Sequence, residues 1–345
     1  EKPWPRLGPY FYATVGTDFC SPLGQGRMML AMMVWRQLDG NPMWDDYLRR
    51  MAKGLGDMAV HVDDYAYYAD GMIGAAYSYP RGGWKATREP TREVSGEEGS
   101  MFDGYRGQIR ALAKWYSISG DENALETATR LVRFVLKPRF WEDVEHAWFG
   151  KTSHLHAHVA MLWALLEFGQ VSGDEYLKDF ARFGYERARD LGIPRIGCFA
   201  WTTEACASSD MVALAVKLSR YGVGDYWDDV EAYIRNQMIE HQLTDRDLIE
   251  QEVAGRGPKW EPDPPQVISD RVLDRAIGSF ARTPCPTRVY TAWTVCCPAN
   301  GSQALYYAWD GILEHRDGNV QVNMLLNRVS PWLDVSSYLP YEGKV

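Results

Sequence analysis

Apolar residues recur at steps of three and four along most of the chain. In GQIRALAKWYSI, HVAMLWALLEFGQV and SSDMVALAVKLSRYG they mark helical faces, and NGSQALYYAWDGIL repeats the pattern. Four stretches share a longer grammar: RQLDGNPMWDDYLRRMAKGL from Arg36, YSISGDENALETATRLVRFVL from Tyr116, GQVSGDEYLKDFARFGYERAR from Gly169 and SRYGVGDYWDDVEAYIRNQM from Ser219. Each joins an apolar helix end to a Gly-Asp or Gly-Asn turn, then to the acidic start of a second amphipathic helix. Glycine suits a helix C-cap. Asp, Asn or Glu suits the next helix start, where amide groups lack partners and the dipole is positive. The turn glycines Gly40, Gly120, Gly173 and Gly224 stand 80, 53 and 51 residues apart. That interval is one helical hairpin plus a loop, with extra loop in the first. Repeated hairpins close into a ring or stack as a solenoid. The number of pairs and the long loops favour an all-α fold, an (α/α)6 barrel, or toroid. Its cleft would lie at one end, among the loops that start the inner helices.

Near the C-terminus the period changes. NVQVNMLLNRVSPWLDVSSYLPYEGKV has short β-rich runs broken by Pro, Gly and Asn. The expected division is a catalytic barrel domain over 1–318, and the first strands of a C-terminal β-sandwich over 319–345, cut short where the sequence stops. The stretch from Glu250 to Pro286 is rich in Pro, Gly and charge. It reads as a long loop with one short helix near SDRVLDRAIGSF, and long loops in compact domains are often functional.

Composition narrows the classes. With 345 residues, 46% of them hydrophobic, the chain can bury a large core. A net charge of −9 and the absence of long basic runs argue against nucleic acid as a partner. No apolar run reaches the ~18–20 residues of a membrane span, so a membrane is not expected either. The chain opens EKPWPRLGPY without Met, which leaves export and the choice of cytoplasm or periplasm open. Fourteen Trp and 20 Tyr suit a cleft whose aromatic faces stack on sugar rings, or simply an aromatic core. Six Cys in this length do not make a disulfide framework.

The cysteines are instead grouped. TTEACASSD sets Glu204 two residues before Cys206, and TVCCPANGS holds Cys296 and Cys297 side by side. Both motifs open predicted helices, where a thiolate is favoured. Three thiolates and a carboxylate match the tetrahedral S/O ligand set of Zn²⁺, on a spacing unlike a zinc finger's. The alternatives are a closed structural zinc staple, or three buried cysteines.

At this point the chain resembles a known family. TEACASSDMVALAVKLSRYG, CCPANGSQALYYAWDGI and GNVQVNMLL are similar to motifs of the β-L-arabinofuranosidases of glycoside hydrolase family 127. YLPYEGKV resembles the strand end that opens that family's sandwich. The resemblance runs from Tyr105 to the C-terminus. It implies an (α/α)6 barrel followed by β-sandwich domains, and a zinc ion held by Glu204, Cys206, Cys296 and Cys297. It further implies that Cys296 is the nucleophile, forming a covalent thioglycosyl intermediate that water releases with retention.

Other positions depart from the family. Where its acid/base glutamate stands, this chain has Ala188, and no glutamate lies between Glu186 and Glu204. Glu186 and Asp190 read as surface residues of a helix. Either Glu97 or Glu98 is a relocated acid, or both belong to a charged surface loop. One family histidine is matched by His154 in KTSHLHAHVAM; another is replaced by Tyr105 in DGYRGQ, and a third motif by Gly26 and Arg27. His154, Tyr105 and Arg106 are therefore the expected substrate-binding residues. The run His154, His156, His158 opens a helix, as cleft residues, a second metal site or ordinary packing. Arg106 and Arg27 suit the carboxylate of an acidic sugar, or pair with Asp103 and Asp18.

The function expected is a carbohydrate-active glycoside hydrolase, a retaining exo-enzyme on a furanoside or an unusual, acidic sugar, with Zn as cofactor. A homodimer is left open. The rivals are a polysaccharide lyase using Tyr105 and His154, and a non-catalytic sugar-binding protein with a structural zinc.

Overall fold

A computed structural model of the chain describes residues 19–20, 22–68, 79–80, 89–91, 101–141, 155–199, 204–254, 271–281 and 296–345. Helices dominate. Two compact units divide the chain, Glu1–Phe183 and Gly184–Val345.

In the first unit, α1 (Pro22–Asp39) and α2 (Met43–Met58) form one hairpin, and α3 (Arg106–Ser119) and α4 (Glu122–Val135) a second. A third begins with α5 (Leu155–Ser172) and continues into α6 (Glu175–Asp190), within which the unit boundary falls. The turns work as the sequence suggests. Gly40, Gly120 and Gly173 adopt positive φ of 65°, 69° and 73°, and the side chains that follow cap the next helices. Asn41 accepts from the Met43 N–H at 3.0 Å, Asp121 from Asn123 at 3.1 Å and Asp174 from Leu177 at 3.2 Å. In the fourth repeat the left-handed glycine is Gly222 rather than Gly224, because the preceding helix stops at Arg220.

Helix α3 packs against α1, α4 and α5. Its contact with α1 is backbone-close: a Cβ on Gly26 would meet the Gly107 carbonyl carbon at 2.5 Å. Gly26 is thus a packing residue. Around α3 lie Leu112, Trp115, Leu131, Phe134, Met161 and Leu165, all at most 1% exposed. Helix α5 is buried almost all round, as its continuous apolar sequence requires, whereas α2 and α4 each bury one face. A short hairpin, Val60–Val62 with Tyr65–Tyr67, packs on α4 and was not anticipated.

In the second unit, α7 (Ala205–Arg220) packs along α11 (Cys297–Gly311) and against α8 (Trp227–Tyr233). Buried Asp229 of α8 accepts from the Tyr185 hydroxyl at 2.9 Å and from both arms of Arg189, at 2.6 and 3.0 Å. Beyond α8 the helix widens into a π-helical stretch, Ile234–Met238, then a last α-turn, Ile239–His241. The expected long loop is shorter than read: α9 (Arg246–Ala254) occupies its start, and α10 (Val272–Ala276) is the short helix anticipated near SDRVLDRAIGSF.

The C-terminal segment makes less sheet than expected. Asn319–Val322 pairs with Leu313–Arg316 across an Asp317-Gly318 turn, both residues at positive φ, so the boundary drawn at 318 falls inside a hairpin. Beyond it, the described residues add only the Arg328–Val335 bridge, and no sandwich. Arg328 donates to the carbonyls of Trp309 and Asp310 at 2.8 and 2.7 Å, satisfying orphan acceptors at the end of α11. No helix among the described residues is long and apolar enough to cross a membrane.

Candidate metal centre

Glu204 occupies the N-cap of α7 with extended backbone (φ −85°, ψ 152°). Its carboxylate makes no capping bond; its carbonyl accepts from Ala207 at 3.0 Å. Cys206 follows in the first turn. Cys296 is the N-cap of α11, Cys297 its first residue, and Pro298 sits next, where a missing N–H costs nothing. Because α7 and α11 pack side by side, their first turns meet. Cys206 Sγ lies 3.1 Å from Cys296 Sγ and 3.4 Å from Cys297 Sγ. One ligand atom from each of Glu204, Cys206, Cys296 and Cys297 falls within 4.8 Å of all the others. All four predicted ligands are therefore brought together. Cys206 and Cys297 are buried, whereas Glu204 and Cys296 are partly exposed. One side of the cluster is walled and the other is open.

Electrostatics decides the state of these thiols. The sequence leads one to expect thiolates at helix starts, and without a metal crowding opposes this at Cys206 and Cys297. The hydrogen bonds Cys206 donates to Cys296 and Cys297, then burial, push it well above the ordinary thiol value. For Cys297 the bond to Cys206 pulls downward, but the bond to Cys296, burial and the charges of Cys296 and Glu204 outweigh it and raise the thiol to about 12. Four groups that become anionic cannot ionise together this close. A divalent cation removes that conflict, and binding it releases the thiol protons. Soft sulfur donors with one carboxylate fit Zn²⁺ in particular, so the residues present fit the metal.

The shell behind the cluster is built from residues the sequence reading gave no role. Ser209, one turn after Cys206, contacts Met238 Sδ through its hydroxyl at 3.9 Å and bonds the Ala205 carbonyl at 2.6 Å. Gly301, one turn after Cys297, meets the Phe280 ring so closely that a Cβ there would lie 2.2 Å from Cγ. Neither contact has a motif. The available signals were a small residue on each helix one turn past a cysteine.

The other expected site residues have different surroundings. Tyr105 is 1% exposed. Its hydroxyl accepts from the Tyr68 N–H at 2.9 Å and donates to the Tyr68 carbonyl at 3.1 Å. Burial raises its phenol well above the ordinary value. Arg106 is buried and bonds Asp103 at 2.8 Å, the plain pairing foreseen for it, and His156 Nε2 at 2.8 Å. Arginine only donates, so that histidine carries its proton on Nδ1. His158 sets its ring edge-on to Phe102. Among the described residues these histidines form no second metal cluster. Glu186 accepts from Tyr226 at 2.6 Å. His154, Asp18, Glu97 and Glu98 lie outside the described residues.

No protein-family model and no curated protein matches the chain. Among solved structures it is similar to the crystal structure of a β-L-arabinofuranosidase of glycoside hydrolase family 127 from Geobacillus stearothermophilus T6. The TM-score is 0.50 and the identity 16%, over 89% of this chain and 48% of that one. The chain thus spans about half the length of the enzyme it matches, and the likeness is one of fold.

Proposed function

We propose that the chain is a carbohydrate-active enzyme, a retaining exo-glycoside hydrolase on an (α/α)6 barrel, with Cys296 as nucleophile and Zn²⁺ held by Glu204, Cys206, Cys296 and Cys297. The observation that carries this reading is the meeting of one carboxylate and three thiols at the starts of two packed helices, with Cys296 on the open side. The fold likeness to a family 127 β-L-arabinofuranosidase supports it, as does the alternation of buried and one-faced helices.

Zinc bound here would keep the thiols ionised and ease the departure of sulfur. Cys296 Sγ attacks the anomeric carbon; a C–S bond forms as the C–O bond to the leaving alcohol breaks, and that oxygen takes up a proton. Water then attacks the same carbon and loses a proton as the C–S bond breaks. Two inversions restore the configuration. Buried Cys206 and Cys297 hold the cluster's geometry while Glu204 shares its exposed side.

The test is to treat zinc-loaded protein with 2-fluoro-furanosyl inactivators and nitrophenyl arabinofuranosides, reading intact mass, peptide maps and product anomer. One glycosyl group on the Cys296 peptide, absent in Cys296→Ala, together with a retained product, is the expected result. An inverted product or an adduct elsewhere contradicts the mechanism, and an unsaturated, ultraviolet-absorbing product establishes a lyase.

A further inference from the structure

An open pocket of about 380 Å³ lies in the second unit, lined by the last turn of α11 and by the C-terminal segment. Cys297 starts α11 and Trp309 stands twelve residues on, so the α-helical rise sets the two about 18 Å apart along the axis. The pocket is therefore separate from the thiol cluster. Two of its lining residues, Trp309 and Tyr338, are large rings left 48% and 47% exposed. Arg328, Asn327, Ser336 and Ser337 supply the polar part, and no Asp or Glu lines the pocket among the described residues. These walls are held in place. Arg328 and Val335 exchange backbone hydrogen bonds at 3.0 and 2.8 Å. The Arg328 guanidinium lies 4.5 Å from the Trp309 ring centroid while it donates to the Trp309 and Asp310 carbonyls. Asn327 accepts from the Ser337 N–H, and the Tyr338 N–H donates to the Lys344 carbonyl at 3.0 Å. Donors are left over. The Arg328 Nε–H is buried and bonds nothing among the described residues. The Trp309 indole N–H, the Asn327 amide nitrogen and the Tyr338 hydroxyl likewise bond none of them.

We propose that this pocket is a second carbohydrate-binding site, which holds a glycan on the rings of Trp309 and Tyr338, away from the metal centre. It takes its class of ligand from the carbohydrate reading above. A sugar ring offers two kinds of surface. Its C–H faces are apolar and pack on aromatic rings, whose polar tips still reach hydrogen-bond partners. Its oxygens accept hydrogen bonds, and Arg328, Asn327, Trp309 and Tyr338 have donors to give. A purely apolar ligand would cover those donors and leave them unpaired, which is costly. Trp and Tyr also bring contact area with few rotatable bonds, and walls already fixed by backbone bonds lose little freedom on binding. Ligand pockets run to about 300–1,000 Å³, so this one, near the lower end, takes a short stretch of glycan rather than a long one. Holding one stretch of a polymer raises the effective concentration of its chain ends around the same molecule.

Electrophoresis through gels containing soluble arabinan, arabinoxylan or polygalacturonan tests this in wild type, Cys296→Ala and Tyr338→Ala, with hydrolysis of a nitrophenyl arabinofuranoside measured alongside. At least one of the three glycans is expected to retard wild type and Cys296→Ala equally. Tyr338→Ala should bind that glycan about 10-fold more weakly, as the loss of a covered aromatic side chain implies, and should hydrolyse the small substrate at the wild-type rate. In ¹H–¹⁵N spectra of the wild type, the Trp309 indole signal, identified by its loss in Trp309→Phe, should move when short fragments of the same glycan are added. No retardation by any of the three overturns the inference, as does binding that survives Tyr338→Ala with the Trp309 signal unmoved. Hydrolysis by the same protein then leaves the glycoside hydrolase reading standing. Retardation abolished in Cys296→Ala also overturns the inference, because it puts the glycan at the metal centre. Retardation lost in Tyr338→Ala by a wild type that hydrolyses nothing upholds the pocket and removes the enzyme reading.

Discussion

Glu89 accepts hydrogen bonds from Tyr65 at 2.6 Å and Lys137 at 2.7 Å, and it is also bonded to Arg139. Burial alone would raise its carboxyl, but the bonds from Lys137, Tyr65 and Arg139 outweigh this and hold it at about 2, below the ordinary 4.5. A folded value below the unfolded one means that the ionised group stabilises the fold above pH 4.5, and that this contribution fades as pH falls towards 2. Urea unfolding of wild type and Glu89→Gln should therefore show the largest stability gap above pH 5, closing as pH approaches 2. A gap that ignores pH contradicts the assignment. No motif announces Glu89, since its partners stand 24, 48 and 50 residues away. Cys206, Cys296 and Cys297 were legible for the opposite reason. Reactive residue types at helix starts carry their own signal. Helix position alone suggests low thiol values, whereas the 3.1 and 3.4 Å contacts that raise them are tertiary.

At the scale of elements, the hairpins could be read because their turns are local. A left-handed glycine and a capping Asp or Asn solve the ends of both helices within a few residues. What escaped were the features that depend on distant packing. The Ile234–Met238 widening is set where the helix meets α7 and α11. The strands Val60–Val62 and Tyr65–Tyr67 are too short for a period to show, and they are held by α4. Tyr105 is expected as a sugar ligand in place of a histidine, but a phenol can be spent equally well on a backbone, here on Tyr68. Gly301 joins element packing to the centre. Gly301→Ala forces Phe280 away from α11, and overpacking of this kind costs about 1–3 kcal/mol. The variant should melt earlier and surrender Zn²⁺ to a chelator faster than wild type. A variant with unchanged melting and metal retention shows that Phe280 does not brace the site.

On the scale of the whole molecule, helical hairpins and one thiol-rich centre make a consistent picture. Each unit is ordered around helices buried on nearly every side, α5 in the first and α7 in the second, and α7 itself carries Cys206. A fold likeness at 16% identity carries no side-chain role over to this chain. Tyr105 and Arg106 are bonded to Tyr68, Asp103 and His156.

Everything proposed for the centre depends on Glu204, Cys206, Cys296 and Cys297 holding a metal. Elemental analysis of the purified, reduced protein, with Cys296→Ala alongside it, tests this most directly. The account predicts about one zinc per wild-type chain, with occupancy falling sharply in the variant. A wild type free of metal, with its thiols open to modification, would contradict this and leave the cysteines as a packed cluster without metal chemistry.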